Sequence, residues 1–260
     1  MIGLRMATFR SIRFFSTSST WTSPRFPSVQ LPASISPAEI AYIELATRTA
    51  QSDFHAIVPL WQSLPRKNHL AGKEAIMQVA LFAGFPRVIN ALSFITSSAL
   101  AEHFQADSSE ESSSAYANSS TIKTTEEWRQ LGDMTFAAIN GNVADVVKNR
   151  LHYMDRDLED WIVSFSYGRV LSRPILSLRQ RQLINIQLLT ASAVLPQLKS
   201  HLIGAVRVGC THRELRTSIE IAPFLHADSA RVEELETVYD QIPWAKLGFP
   251  TPTSPRQSEG

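Results

Sequence analysis

Apolar residues recur at helical spacing along most of this 260-residue chain, and strand-like alternation of apolar and polar positions is scarce. A first helix is predicted to begin at Ser36, which is the N-cap, with Pro37 in the first turn and Glu39 closing a capping box. Apolar positions continue over residues 40–61, with one break, before Pro65 ends the element. Three further capping boxes are predicted to begin at Thr124, Ser177 and Thr211. An all-α fold is therefore predicted.

Glycine and proline divide the remaining helical pattern. Gly84 predicts a break or kink, Gly209 predicts the end of a helix, and Pro223 predicts an interruption. A weak internal repeat is also present, because residues 74–86 align with residues 214–226 at an offset of 140 positions. Two copies of a helical hairpin packed face to face would produce such a repeat.

The helical domain is predicted to span residues 36–250, and three segments differ from it in composition. Residues 1–35 contain arginines but no acidic residue and are rich in serine and threonine, which is typical of a mitochondrial transit peptide or of a disordered basic tail. Arg13 lies three residues before a matrix-protease-like cleavage site, so the expected location is the mitochondrial matrix. Residues 107–122 read as a Ser-rich insertion and residues 251–260 as a disordered tail.

Composition argues against several functional classes. Lys plus Arg is 25 and Asp plus Glu is 24, so the formal charge of +1 argues against a broad nucleic-acid surface. The single cysteine, Cys210, excludes an intramolecular disulfide, a CxxC redox pair and a cysteine-rich zinc site. The histidines lack metal-ligand spacing and no glycine-rich phosphate loop occurs, so neither a metal site nor a phosphate-binding loop is predicted. No apolar run approaches the roughly 18 residues of a transmembrane helix.

Three stretches carry a resemblance to a known family: KEAIMQVALFAGFPRVINAL from Lys73, YGRVLSRPILSLRQRQLINIQLL from Tyr167 and PQLKSHLIGAVRVGCTHREL from Pro196. Together they resemble the carboxymuconolactone decarboxylase family of the alkylhydroperoxidase D-like (AhpD-like) superfamily. The resemblance covers under half of the chain. It implies an all-helical fold that assembles into homo-oligomers, commonly trimers or hexamers, and that uses no metal, flavin or nicotinamide.

The peroxidase branch of that superfamily uses a glutamate, two cysteines spaced CxxC and a histidine. His201 fits the histidine, but Gln182 stands nineteen residues earlier, where the branch keeps its glutamate. The two cysteine positions fall on Val194 and Gln197. A CxxC peroxidase mechanism is therefore absent, since no resolving thiol exists for Cys210.

The decarboxylase branch lacks the cysteines and implies an acid/base group together with a group that holds an anion. His201 is the candidate acid/base, because imidazole transfers protons near neutral pH. Gln182 cannot act as a base, but it could orient His201 or bind a substrate carbonyl. Arg169 and Arg173 are candidates for holding a substrate carboxylate by bidentate hydrogen bonds. Purely structural roles remain as alternatives. In them His201 and Gln182 are structural residues, Cys210 is a small buried thiol, and Arg169 and Arg173 pair with acidic residues within 155–160.

Two hypotheses follow, and a third is retained. The first is a cofactor-free enzyme, or relic enzyme, acting on a small carboxylate or lactone; it predicts a hydrogen bond between His201 and Gln182 and a nearby arginine. The second is a non-catalytic subunit or assembly partner of a mitochondrial complex, favoured by the amide at residue 182 and the missing thiols. The third is an antioxidant peroxidase activity that would depend on Cys210.

Overall fold

A computed structural model describes residues 20–97 and 123–249, and within them the protein is almost entirely helical. The predicted all-α class is confirmed. The Ser-rich insertion at 107–122, the C-terminal tail at 251–260 and the first 19 residues of the predicted transit peptide lie outside the described residues. The elements are β1 Thr20–Ser23, β2 Phe26–Pro32, α1 Pro37–Ala50, α2 Phe54–Ser63, α3 His69–Gln78, α4 Ala80–Ala83, α5 Phe85–Ser97, α6 Thr125–Asn140, α7 Ala144–Met154, α8 Arg156–Asp160, a π-helix Trp161–Leu171, α9 Leu178–Ala191, α10 Leu195–Arg207, α11 His212–Leu225 and α12 Ser229–Asp240, with short 3₁₀ turns at Arg66–Asn68, Gly141–Val143 and Trp244–Leu247.

All four predicted capping boxes are confirmed. Each depends only on residues three apart in the chain, which is why the sequence alone can predict it. They open α1, α6, α9 and α11. The break at Gly84 is also confirmed: this residue separates α4 from α5 with φ at 81°, a conformation that glycine adopts without strain. The interruption predicted at Pro223 is wrong, since α11 continues through it to Leu225. One missing N–H near the last turn leaves the rest of the helix intact.

A β-hairpin lies within the stretch that composition assigned to the N-terminal segment 1–35. β1 and β2 pair in antiparallel fashion, and Phe26, Val29 and Leu31 are buried in the main core. Arg25, one of the arginines of that stretch, donates a 2.9 Å hydrogen bond to Glu44 on α1. The folded domain thus includes residues 20–35, because apolar side chains of β2 are part of the main core.

Helix α9 runs through the centre of the main core, and every residue from 181 to 190 is buried. Helices α1, α10, α11 and α12 pack around it. Its first turn also binds the two glutamates that the internal repeat aligns: Glu74 on α3 pairs with Arg181 at 3.0 Å, and Glu214 on α11 pairs with Arg179. A helix buried on all sides must place its polar groups on specific partners, which determines where a site can form.

Helices α6 to α8 and the π-helix form an arm with a small cluster of its own, built on Phe136, Ala144 and Val163. The arm is held by a close helix approach: a Cβ on Gly168 would lie 2.1 Å from the carbonyl oxygen of Trp128. Seven of the large apolar residues that the described chain exposes belong to this arm: Met134, Val143, Val146, Tyr153, Met154, Leu158 and Trp161.

Candidate active site

His201 on α10 contacts Gln182 on α9, as the first hypothesis predicts. The imidazole Nδ1 lies 2.7 Å from Gln182 Oε1, and Asn185 Nδ2 approaches the same nitrogen at 3.4 Å. An amide oxygen can only accept, so the shorter contact places the ring proton on Nδ1 and leaves a lone pair on Nε2. Within the described residues no group hydrogen-bonds with Nε2, and His201 is partly exposed. The ring therefore has one basic nitrogen, Nε2, that is open in the sense that no described group bonds to it.

The His201 imidazole is neutral at physiological pH. Although part of the residue reaches the surface, the protein packed around the ring removes enough water to lower its pKa to about 4. Phe82 on α4 contributes to this packing edge-on, with ring centroids 6.2 Å apart. A neutral ring is almost wholly in its proton-accepting form at pH 7, although it is a weak base.

A second buried histidine shows what a structural imidazole in this fold looks like. His226 Nε2 donates to Gln187 Oε1 at 2.9 Å, and its Nδ1 accepts from Gln51 Nε2 at 3.1 Å. Burial, with a smaller contribution from the charge of Arg48, also lowers the pKa of His226 to about 4. Both of its nitrogens are occupied by protein groups. The open Nε2 distinguishes His201 from this satisfied pair.

A buried chain of polar side chains runs from His201 towards the surface. Asn185 Oδ1 accepts from Gln78 Nε2 at 2.6 Å, and Gln78 Oε1 accepts from Arg181 at 2.9 Å. Arg181 and Arg173 both donate to Glu74, which is 1% exposed. Burial would raise the pKa of Glu74, but the hydrogen bonds and charges of the two arginines outweigh it and lower the pKa. The chain fixes the amide of Asn185 beside the ring.

The structure does not place the two candidate carboxylate-binding arginines at His201. Arg173 donates a bidentate pair of hydrogen bonds to Glu74, from Nε to Oε2 at 2.9 Å and from Nη2 to Oε1 at 2.7 Å. Arg169 is exposed and lies 5.2 Å from the ring centre of Trp128, and it makes no hydrogen bond to His201 among the described residues. Arg173 is connected only to the polar chain, which ends at Asn185 beside the imidazole, 3.4 Å from Nδ1.

The acids of residues 155–160, the other partners considered for these arginines, bind elsewhere. Glu159 and Asp160 accept hydrogen bonds from Arg129 at 2.6 and 2.9 Å. Asp155 caps α8 by accepting from the backbone N–H of Leu158. These acids therefore stabilise the arm rather than Arg169 or Arg173.

Cys210 matches the interpretation of a small buried thiol. It is 2% exposed, and its Sγ donates to the carbonyl oxygen of Arg179 at 3.7 Å. Burial raises the pKa of the thiol to about 12, so it is fully protonated at pH 7. A protonated, enclosed thiol is a poor nucleophile.

No group of three or more His, Cys, Asp or Glu side chains could hold a metal ion within the ranges that the structure covers. A cavity of about 470 Å³ lies between α10 and α12, with Leu195, Lys199 and Val238 in its wall, and His201 does not line it. No helix among these residues is long and apolar enough to cross a membrane.

Sequence reasoning missed four members of the site: Glu74, Gln78, Arg181 and Asn185. Their signal is present in the sequence, because polar residues four apart interrupt the apolar pattern of α3 and α9. Such residues are costly in a buried helix unless they pair, so their spacing marks matching polar faces. Which faces meet is decided only when α3 and α9 come together.

Comparison with known proteins gives one distant similarity. The chain is 29% identical over 151 residues to "Peroxisomal protein 2" of the fission yeast Schizosaccharomyces pombe. The match covers 58% of this chain and 66% of that protein, which is slightly under two-thirds of its length. No protein-family model matches the chain. No solved structure matches it either.

Proposed function

We propose that this protein is a carboxymuconolactone decarboxylase-like, cofactor-free enzyme that acts on a small lactone or carboxylate with His201 as its acid/base group. The observation that carries the proposal is the orientation of the ring: Gln182 holds Nδ1–H at 2.7 Å, while Nε2 stays open. His226 has the same kind of amide partner but no open nitrogen. The resemblance of residues 167–215 to the family supports the same assignment.

His201 would work by moving one proton. Its Nε2 takes a proton from the substrate, and the imidazolium returns it to a carbanion or leaving group. Gln182 keeps the ring in one tautomer throughout, because its oxygen accepts the Nδ1–H hydrogen bond in both protonation states. Arg173, a candidate for binding a substrate carboxylate, is already paired with Glu74. This pairing favours an uncharged lactone over a free carboxylate as the substrate.

The test is turnover of a panel of small lactones and keto acids by purified protein. His201→Asn should abolish turnover of any substrate found, while His55→Asn, which alters an exposed histidine on α2, should retain it. Absence of turnover across the panel, together with unchanged ligand affinity in His201→Asn, would remove the enzyme hypothesis.

A second candidate function is a non-catalytic assembly partner, and the apolar surface of the arm favours it. Tyr153 is 92% exposed and Trp161 is 65% exposed, and exposed aromatic residues are common at protein interfaces. The paired variant Tyr153→Asp/Trp161→Asp should release the protein from a large particle in sedimentation of a matrix extract. Migration of the wild-type protein only as a small homo-oligomer would count against this function and would agree with the predicted self-association.

The third hypothesis, a thiol peroxidase, draws no support from the enclosed Cys210. Cys210→Ser should leave any hydroperoxide-dependent activity unchanged, and loss of that activity in the variant would restore the hypothesis.

For the location, we propose the mitochondrial matrix. Cleavage after Phe15 would leave the hairpin that begins at residue 20 intact. The first residue of the endogenous protein, found by N-terminal sequencing, should be Ser16, whereas an uncleaved chain in peroxisomes would refute this proposal.

A further inference from the structure

The amide of Gln182 has a second polar atom whose role is unassigned. Its Oε1 holds the His201 ring, but its Nε2 is buried and has no hydrogen-bond partner among the described residues. A buried N–H without an acceptor costs about 1–3 kcal/mol, so such groups are rare. Both atoms belong to one rigid amide plane. The unsatisfied N–H is therefore fixed beside the imidazole rather than elsewhere in the core.

We infer that Gln182 serves the proposed site twice: Oε1 orients His201, while the Nε2–H binds the carbonyl oxygen of the substrate, and the reaction is proton transfer at the carbon next to that carbonyl. This inference rests on the proposed function and deepens it. The substrate class is an uncharged carbonyl compound with an acidic neighbouring C–H, of which a β,γ-unsaturated five-membered lactone is the simplest example.

The chemical step balances without a co-reactant. The C–H bond beside the carbonyl breaks, its proton moves to His201 Nε2, and its electron pair enters the carbonyl group to form an enolate. The enolate oxygen is stabilised by the hydrogen bond from Gln182 Nε2–H. The imidazolium then returns the proton to the far carbon of the double-bond system, which yields the conjugated lactone. Weak bases perform this chemistry when a donor holds the developing oxyanion.

The environment of the ring agrees with an uncharged substrate. Burial lowers the pKa of His201 to about 4, so the site carries no imidazolium charge with which to attract an anion. Gln182 is 0% exposed whereas His201 is partly exposed, so the substrate would approach along the ring. Because Gln182 Nε2 is buried, the inference requires a neighbouring side chain to move when the carbonyl binds, and Phe82, which packs edge-on against the His201 ring from the single turn of α4, is the candidate.

The decisive variant is Gln182→Glu, because it separates the two roles of the side chain. A carboxylate still accepts the Nδ1–H hydrogen bond and makes His201 a stronger base, but it has no N–H for the carbonyl. With the unsaturated lactone in D₂O, we expect isomerisation and deuterium uptake in the wild type and a loss of at least about tenfold in Gln182→Glu. Gln187→Glu is the matched control, since it places a carboxylate against the buried His226 on the same helix; it should leave turnover unchanged. Equal or faster turnover in Gln182→Glu would overturn the inference and leave the proposed function standing.

A measurement on the wild-type protein covers the case in which the variant does not fold. Protein labelled with ¹⁵N at the glutamine side chains is titrated with γ-butyrolactone, which binds without isomerising. One side-chain amide signal, absent from Gln182→Met, should move downfield as its N–H gains an acceptor. If no such signal responds, the inference is wrong whatever the variants do. If turnover of the unsaturated lactone also persists in His201→Asn, the proposed function itself fails.

Discussion

Acidification should destabilise this protein at a pH where most surface carboxylates are still ionised, because two buried histidines must remain neutral. His201 and His226 each have a folded-state pKa of about 4, against 6.5 for an unfolded histidine. The unfolded chain therefore binds more protons than the folded one between these values. Stability is fully present above pH 6.5 and falls as the pH drops towards 4.

The magnitude follows from the two pKa values. Lowering the pH from 7.5 to 5.0 should cost about 2 kcal/mol for a fully buried histidine with this shift. His226 is 4% exposed and should show the whole effect, while the partly exposed His201 should show about half of it because solvent screens its charge. The total of about 3 kcal/mol is a large share of the 5–15 kcal/mol that stabilises a typical domain.

The assay is urea unfolding followed by circular dichroism at fixed protein concentration, since self-association would otherwise add its own dependence. The variants His226→Gln and His201→Asn should each have a shallower fall in unfolding free energy between pH 7.5 and 5.0, with the larger change in His226→Gln. The exposed His55→Asn serves as the control and should follow the wild type. If His226→Gln and His201→Asn lose stability as steeply as the wild type, the two imidazoles are not the groups that titrate.

Three further predictions concern packing, ion pairing and reactivity. Gly168→Ala should destabilise the arm by about 1–3 kcal/mol, because its Cβ would lie 2.1 Å from a backbone oxygen. Gly209→Ala, at φ 95° in open space, should cost only about 1 kcal/mol, and thermal unfolding measures both changes. Glu74→Gln should cost about 3–5 kcal/mol in urea unfolding, since it leaves the buried guanidinium of Arg181 without its carboxylate, and a loss under 1 kcal/mol would contradict this account of the polar chain. Cys210 should react with a disulfide reagent only when the protein unfolds, and rapid labelling of the native protein would show that the thiol is accessible.

Short-range features of the fold were predictable from the sequence because the interactions behind them are local. Each capping box joins residues three apart, and the break at Gly84 depends on the backbone freedom of one residue. The hairpin at residues 20–32 was not predicted, since its apolar positions gain stability only when β2 packs against distant helices such as α11. The π-helical geometry of residues 161–171 also depends on packing, here against α6.

The sequence by itself determined an all-helical chain and marked His201 and Gln182 as a pair, because helix signals are local and the family resemblance aligns residues nineteen apart. Only the tertiary structure decided what that pair can do. Glu74 and Arg181 lie 107 positions apart, and their meeting anchors the polar chain that ends at the imidazole. Likewise, the folded core satisfies both nitrogens of His226 and leaves one open on His201. The availability of a nitrogen depends on which distant groups fold against it, and spacing along the chain does not specify those groups.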